Sequence, residues 1–487
     1  MIRLRKLICA AYPDTPLPSE VPDVLISGLE CDSRKVEKGF LFVMIRGEKS
    51  DGRLFAAQAM RRGAAVLVGD RREQVSPEDP FILVPDGRLA MAKLASVFYG
   101  YPDKKLQAVG ITGTNGKTTS SYLIEHFLQS QGKKTGVIGT VNVRFAGKVI
   151  PAAETTPGPL RIQQLLSEMT AAGCAYAVME VSSHALSQHR VSEIDFKAAL
   201  FTNLTQDHLD YHKTMEAYFE CKSRLFLGLS GKNVSALNAD DASGRRLAQM
   251  TKSRVITYGV THEAALRARN IEFDMNGTYF DLEFEGKRIQ IISPLIGLHN
   301  VYNALGALAV MRGLGFDLEQ PAASLSRFPG VPGRLEVVNA GQNFHVFIDF
   351  AHTPDGLENV LSSLRPYKKN KLLVVFGCGG ERDKGKRPQM GLAASRYADF
   401  VIVTSDNPRS EDPGTIAGEI VSGFPGDFKK FAVVLDRQKA IRQALLTSRE
   451  GDIVLLAGKG HETCQWIGNQ ANPFSDQAEA ERVLSGH

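Results

Sequence analysis

Residues 109–129, VGITGTNGKTTSSYLIEHFLQ, pass from a short apolar stretch through a glycine-rich turn into a helical pattern. Gly116-Lys117-Thr118 ends like the phosphate-binding loop G-x-x-x-x-G-K-[ST], yet the strict pattern wants glycine at 111. This chain has Ile111 there, with glycines at 110 and 113. The context is still the one such a loop needs. Glycines let backbone N–H groups face phosphates, and a helix N-terminus favours negative charge. Lys117 adds a point charge, and the Thr118 hydroxyl is a ligand for Mg²⁺. A glycine-rich turn without a ligand is the alternative; nucleotide binding is the reading we adopt.

Working outward, strand patterns LQAVGIT, KTGVIGTV, YAVMEVSS and KAALFTNLT alternate with helical stretches. That rhythm predicts an α/β fold with a doubly wound, mostly parallel sheet. IEFDMNGTYFDLEFEGKRIQIISP instead alternates apolar and polar residues around Asn276-Gly277, so antiparallel strands are expected there. Upstream, GFLFVMI and AAVLVGD flank a helical RLFAAQAMRRG, and YGYPDKK reads as a linker. Downstream come FHVFIDF, KLLVVFGCG, DFVIVTSD, FAVVLD and DIVLLAG, a second Rossmann-like series. The chain has 487 residues, and at about 150 residues per domain three domains are expected. The expected boundaries are 1–101, 102–331 and 332–487.

Hydrophobic content of 43% and charged content of 23% are those of a soluble globular chain. No apolar run suggests a membrane span, and the N-terminal apolar stretch is too short for a signal peptide. A cytoplasmic location is expected. Lys plus Arg number 58 against 53 acidic residues, which suits an anionic small molecule and not nucleic acid. The 6 cysteines are scattered without a C-x-x-C pair, so reduced thiols are expected, with Cys378 and Cys464 buried and inert.

Chemistry-bearing residues gather where strands end, the place where open α/β sheets bind ligands. Glu180 ends the strand AYAVME and can hold Mg²⁺; the bland reading is a helix N-terminal acid. His208, in TNLTQDHLDYH, is a candidate second metal contact beside a nucleotide site. Lys222, in YFECKSRLF, reads locally as a lysine whose stem covers apolar surface while its head reaches water. Arg382 and Arg409 sit on separate strand-end loops and suggest a carboxylate-bearing substrate, because guanidinium forks grip carboxylates bidentately.

Together these stretches resemble the Mur ligases, the ATP-dependent amino-acid ligases of peptidoglycan synthesis, over essentially the whole chain. GTNGKTT is that family's form of the phosphate loop and accounts for Ile111. DSRKV at 32–36, TTP at 155–157, SSHAL at 182–186, TNLTQDHLDYH at 202–212, HNVYNA at 299–304, PGR at 332–334, DFAHTPD at 349–355 and GKGHE at 458–462 also match. GCGGERDKGKRP with DNPR resembles the member that adds meso-2,6-diaminopimelate to UDP-N-acetylmuramoyl-L-alanyl-D-glutamate. Diaminopimelate is lysine with a second, distal carboxylate, for which Arg409 supplies a fork.

The resemblance implies roles. Gly113, Thr114, Asn115, Gly116, Lys117, Thr118 and Thr119 would cradle ATP, with Asn300, Asn303, Arg334 and Asp349 on its adenosine or phosphates. Thr118, Glu180, His208 and a carbamylated Lys222 would hold Mg²⁺. Ser33, Thr155, Thr156, Ser182, Gln188 and Arg190 would hold the UDP-muramoyl dipeptide. Arg382, Asp406, Asn407, Pro408, Arg409, Gly458 and Glu462 would select the amino acid. The N-terminal domain would thus bind the UDP substrate, the central one ATP and the third the amino acid, in a monomer. Glu154 departs from the asparagine that relatives often carry. A lysine-adding sister, a folylpolyglutamate synthase and a nucleotide-switch ATPase are the rival readings.

Overall fold

The computed structural model describes residues 1–14, 22–47 and 50–486. The chain forms two compact units. The first comprises residues 1–112, 132–199 and 227–233; the second comprises 113–131, 200–226 and 234–487.

In the first unit a parallel sheet runs in the order Gly28–Glu30, Phe40–Val43, Val66–Gly69, Phe81–Leu83. Leu29, Leu41, Val43, Val66, Val68 and Ile82 meet the apolar faces of helices Leu4–Ala11 and Gly87–Phe98 in one core. RLFAAQAMRRG starts as a 3-10 turn, Gly52–Phe55, and becomes α-helical only over Ala56–Arg61. The unit's other sheet pairs Thr135–Ile138, Tyr176–Glu180 and Gln107–Thr112 in parallel. Glu180 lies opposite Ile111 in that register, at the carboxyl end of its strand. Asn142–Phe145 and Lys148–Pro151 extend the edge antiparallel.

In the second unit the phosphate loop opens helix Lys117–Ser130, which packs on helix Leu298–Gly313. LHNVYNALGALAVMRG is apolar on nearly every face, and such a helix belongs inside a core; Val301, Leu305, Leu308 and Met311 are fully buried. Parallel strands Val234–Asn238 and Arg254–Gly259 are followed by the antiparallel run Leu266–Asp274, Gly277–Phe284, Lys287–Ser293, as the Asn276-Gly277 pattern predicted.

The same unit contains a six-stranded sheet in the order Glu336–Val338, His345–Asp349, Ile453–Ala457, Leu372–Phe376, Phe400–Val403, Phe431–Val433. All its pairings are parallel except the first. Alternation along each strand serves two cores. Leu372, Val374 and Phe376 face one, with Ile453 and Leu455, while Leu373 and Val375 face the other, with Val454 and Leu456. Strands buried on both faces explain the unbroken apolar runs LLVVF and IVLLA. The α/β class and the mostly parallel sheets are those read from the sequence. Strand Glu336–Val338 and the hairpin Cys464–Ile467/Gln470–Pro473 were not. Among the described residues no helix is long and apolar enough to cross a membrane.

Candidate functional site

The phosphate loop takes its shape from two glycines. Gly113 (φ 148°) and Gly116 (φ 86°) have positive φ. A Cβ on Gly113 would meet Thr202 Oγ1 at 1.9 Å, and one on Gly116 would meet Asn303 Oδ1 at 2.3 Å. Glycine at 111 is dispensable because Ile111 is still inside a strand, wholly buried. Asn203 braces the loop from outside: its carbonyl accepts from Thr114 N–H and its Oδ1 from Asn115 N–H, each at 2.9 Å.

Lys117 folds back over this loop, donating to the carbonyls of Gly113 (2.9 Å) and Thr114 (2.8 Å). Lys222 reaches the same Gly113 carbonyl at 2.9 Å from helix Met215–Leu227. It is 1% exposed, with its ammonium 4.6 Å over the Tyr218 ring. The local reading of a surface lysine is therefore overturned: the polar head, not just the stem, is inside. Burial, and next the neighbouring Lys117 charge, push its pKa well below the ordinary value.

A cavity of about 310 Å³ lies beside the loop and is lined by Asn115, Gly116, Thr119, Asn300, Asn303, Arg334 and Asp349 among others. Arg334 donates to Thr118 Oγ1 at 3.2 Å and stacks 4.8 Å over Phe350. Asp349 accepts from the N–H groups of Leu335 and Ala351 at 2.7 Å each. Burial raises its pKa, opposed by Arg334 and by those N–H groups. Residues from four separated sequence motifs thus meet at one cavity. Asp240 and Tyr302 also line it and were missed; Tyr302 donates its hydroxyl to Asp240 Oδ2 at 2.8 Å. Tyr302 lies inside HNVYNA, so that motif carried a signal, whereas nothing in the sequence marked Asp240.

A smaller cavity, about 190 Å³, is lined by His208, Arg382, Asp406, Asn407, Arg409, Gly458 and Glu462, with Asp207, His352 and Lys386. Pro408 is buried but does not line it. Arg382 is exposed at the rim, while half-buried Arg409 donates to Gly380 O at 2.7 Å. Asp207 is 5% exposed, with Lys386 at 3.7 Å and His208 at 3.3 Å. Burial alone would raise Asp207, but His208, Lys386 and His352 hold it far below the usual carboxylate range. Burial lowers His352 to about 4, so it is neutral near pH 7. Arg382 and Arg409 bring two guanidinium groups to the cavity, beside the carboxylates of Asp210, Asp383, Asp406 and Glu462. Cys378 is buried with its thiol pushed up to about 12 by burial, whereas Cys464 is only half-buried, against expectation.

In the first unit Glu180 is 1% exposed and accepts from Thr140 N–H and Thr140 Oγ1, each at 2.9 Å. It is not a helix cap: Ser182 caps the next helix, accepting from Ala185 N–H at 3.2 Å. Thr155 accepts from Thr140 Oγ1 (3.1 Å), and Thr156 donates to Glu180 O (2.8 Å) while accepting from Ser182 N–H (3.0 Å). Arg190 donates to Thr156 O at 2.6 Å, to Gln188 Oε1 at 2.8 Å and to Glu154. Five of the expected dipeptide contacts thus form one hydrogen-bonded group around Glu180. Ser33 stands apart, in the 3-10 turn Ser33–Lys35 that follows strand Gly28–Glu30, donating to Gln58 Oε1 at 2.7 Å. Glu154, the departure from the expected asparagine, is met by Arg190.

Three sequence profiles match in order: "Mur ligase family, catalytic domain" over residues 25–99, "Mur ligase middle domain" over 111–311, and "Mur ligase, glutamate ligase domain" over 333–460. A curated protein of Caldanaerobacter subterraneus subsp. tengcongensis is 44% identical over 464 residues, covering 95% of this chain and 96% of its own. The chain belongs to the Mur ligase family. That relative is named UDP-N-acetylmuramoyl-L-alanyl-D-glutamate–2,6-diaminopimelate ligase. A solved structure of a ligase with the same name matches with TM-score 0.70 at 33% identity, over 99% of both chains. A MurF ligase from Thermotoga maritima, solved in complex with ADP, shares the fold at TM-score 0.65 and 20% identity, covering 95% of this chain and 97% of that one. Among the described residues, no group of three or more His, Cys, Asp or Glu is arranged to hold a metal ion by itself.

Proposed function

We propose that this Mur ligase joins meso-2,6-diaminopimelate to the D-glutamate γ-carboxylate of UDP-N-acetylmuramoyl-L-alanyl-D-glutamate, converting ATP to ADP and phosphate. The observation that carries the choice of amino acid is the paired Arg382 and Arg409 at the smaller cavity. An amino acid ending in a plain ammonium would bring no carboxylate to either guanidinium. The names of the full-length relatives support the same reading.

The domains are 1–101 for the UDP substrate, 102–331 for ATP and 332–487 for the amino acid, working as a cytoplasmic monomer. Gly113 to Thr119 present N–H groups to the ATP phosphates, and Lys117 leaves the loop carbonyls to meet the γ-phosphoryl oxygens. Asn300, Asn303, Arg334 and Asp349 take the rest of the nucleotide in the larger cavity. Ser33, Thr155, Thr156, Ser182, Gln188 and Arg190 take the dipeptide substrate. Arg409 and Arg382 grip the distal carboxylate of the amino acid, with Asp406, Asn407, Gly458 and Glu462 around its distal ammonium and Pro408 shaping the turn.

A carboxylate does not accept an amine directly, because oxide is the leaving group. Phosphoryl transfer from ATP makes an acyl phosphate, and the amine then displaces phosphate. Lys117 opposes the charge that gathers during transfer. Thr118, Glu180 and Lys222 as its carbamate would offer oxygen ligands to Mg²⁺, which prefers oxygen and commonly takes few ligands from protein and the rest from phosphates, with His208 as a nitrogen contact beside them. When bound, Mg²⁺ supplies neutralisation of phosphate charge.

Phosphate release from ATP, assayed with the dipeptide substrate and either diaminopimelate or L-lysine, tests the reading. Release with diaminopimelate alone, and a product heavier by that residue, is the expected result. Equal release with lysine would sink the carboxylate argument, and release with neither amino acid would sink the ligase.

A further inference from the structure

Behind the cavity that Arg382 and Arg409 line, and not among its lining residues, lies Lys459. It is 0% exposed, two residues past strand Ile453–Ala457. Its ammonium donates to Glu462 Oε2 at 2.8 Å, to Cys464 O at 2.7 Å and to Asn407 Oδ1 at 3.2 Å. Those acceptors use all the N–H bonds an ammonium has, so Lys459 has nothing left to offer a ligand.

What it holds is the cavity wall. Because Lys459 only donates, Asn407 must turn its oxygen toward it, and Trp466 N–H reaches the same oxygen at 2.9 Å. The amide nitrogen of Asn407 then points to Glu462 Oε2, at 2.9 Å. One buried cation therefore sets the orientation of an amide and a carboxylate that both line the cavity.

The hairpin Cys464–Ile467/Gln470–Pro473 holds the same loop by its backbone. Arg409 N–H donates to Trp466 O at 3.1 Å, Gly468 N–H donates to Arg409 O at 2.8 Å, and Gln465 Nε2 donates to Asp406 O at 2.7 Å. Arg409 has φ +52°, in the left-handed region. An L residue stays there only where its surroundings over-determine it. The hairpin and Lys459 are those surroundings.

We propose that Lys459, with the hairpin that follows it, is a positioning residue that fixes Asn407, Arg409 and Glu462 for a diamino dicarboxylic acid. The assignment rests on the amino-acid cavity of the proposed function. It acts from outside the cavity, through the loop. Its mark is thus on amino-acid affinity and not on ATP.

The test is steady-state kinetics of the full chain with ATP, the dipeptide substrate and meso-diaminopimelate, comparing wild type with Lys459→Met and Gln465→Ala. Losing charge-assisted hydrogen bonds of this kind is expected to raise the KM for diaminopimelate roughly tenfold or more in Lys459→Met, and by a smaller factor in Gln465→Ala. The KM for ATP stays within about twofold, since the hydrogen bonds that are lost lie at the amino-acid cavity. If Lys459→Met does not fold, the half-buried Gln465→Ala decides alone. Wild-type ligation with an unchanged diaminopimelate KM in the folded variants overturns the assignment and leaves the proposed function standing. A KM rise shared equally by ATP also overturns it, as general loosening. Wild-type protein that ligates no diaminopimelate overturns the proposed function, and the assignment falls with it.

Discussion

Lys117 and Lys222 donate to one carbonyl oxygen, that of Gly113, each at 2.9 Å. Two ammonium groups converging on one acceptor repel each other. Lys222, wholly inside, yields: its pKa falls through burial first and the Lys117 charge second. A lysine whose proton is held less tightly offers its neutral amine more readily as a nucleophile for CO₂, its nitrogen bonding to carbon as an N–H proton leaves to solvent. The prediction is that degassed, CO₂-free enzyme loses activity and bicarbonate restores it, whereas Lys222→Met is inactive and indifferent to bicarbonate. Mass spectrometry under native conditions, read for one added CO₂, is the direct check.

The same lysine sets a pH dependence of stability. Its folded pKa lies below the ordinary 10.5, so between those values the unfolded chain binds a proton that the folded chain does not. Stability contributed by this group therefore rises with pH across that window. In CO₂-free buffer, wild type should gain stability relative to Lys222→Met as pH increases from the folded pKa towards 10.5. Urea midpoints of the two proteins measured across the alkaline range decide it; a constant difference would sink the argument.

Lys117→Ala removes the only charged side chain that the loop itself supplies. Deleting one preorganised donor to developing negative charge costs about a hundred- to a thousandfold in rate, and that loss in kcat is expected here. Nucleotide affinity should fall less, because the loop N–H groups remain. Single-turnover ligation together with ADP binding by calorimetry separates the two.

Both the reach and the limits of sequence reading have physical causes. GTNGKTT was legible because glycines at 113 and 116 must adopt positive φ, and only a short list of residues tolerates that. The strand runs LLVVF and IVLLA were legible because both their faces are buried. Lys222 was not: on its helix it looks like any amphipathic lysine, and only the phosphate loop arriving from a hundred residues earlier makes it buried. Asp240 was equally silent, since its value lies in Tyr302 and the 260–262 backbone converging on it. The hairpin Cys464–Ile467/Gln470–Pro473 is mostly exposed, so its CQWIGNQANP has no buried face to print a pattern.

Arg409 should separate diaminopimelate from lysine. Arg409→Ala removes the half-buried fork, and Arg409→Lys keeps a charge but not the planar pair of donors. The diaminopimelate KM is expected to rise by roughly ten- to a hundredfold in the alanine variant, the range of a charge-assisted pair, with Arg409→Lys between it and wild type. Lysine, lacking the distal carboxylate, should be used no worse than before. Competition of both amino acids in one reaction, read by product mass, shows whether the ratio moves as stated.

Arg437 and Asp476 test what ties helices Arg437–Thr447 and Asp476–Leu484 to each other and to the six-stranded sheet. Both are 0% exposed by side chain, and Arg437 places Nε at 2.7 Å and Nη2 at 2.6 Å from the two carboxylate oxygens. Arg437 Nη2 also donates to Ala457 O at 2.9 Å, at the end of the strand that leads to Gly458 and Lys459. Removing one partner strands the other charge in a dry core, at a cost of about 3–5 kcal/mol. Asp476→Leu should therefore lower stability by that amount, whereas Arg437→Met with Asp476→Leu, which leaves neither charge of the pair, should recover most of it. The coupling energy from urea denaturation of the two single variants and the double variant is the deciding number. Simple additivity, with the double variant losing the sum of both single losses, would show that the two charges do not depend on each other.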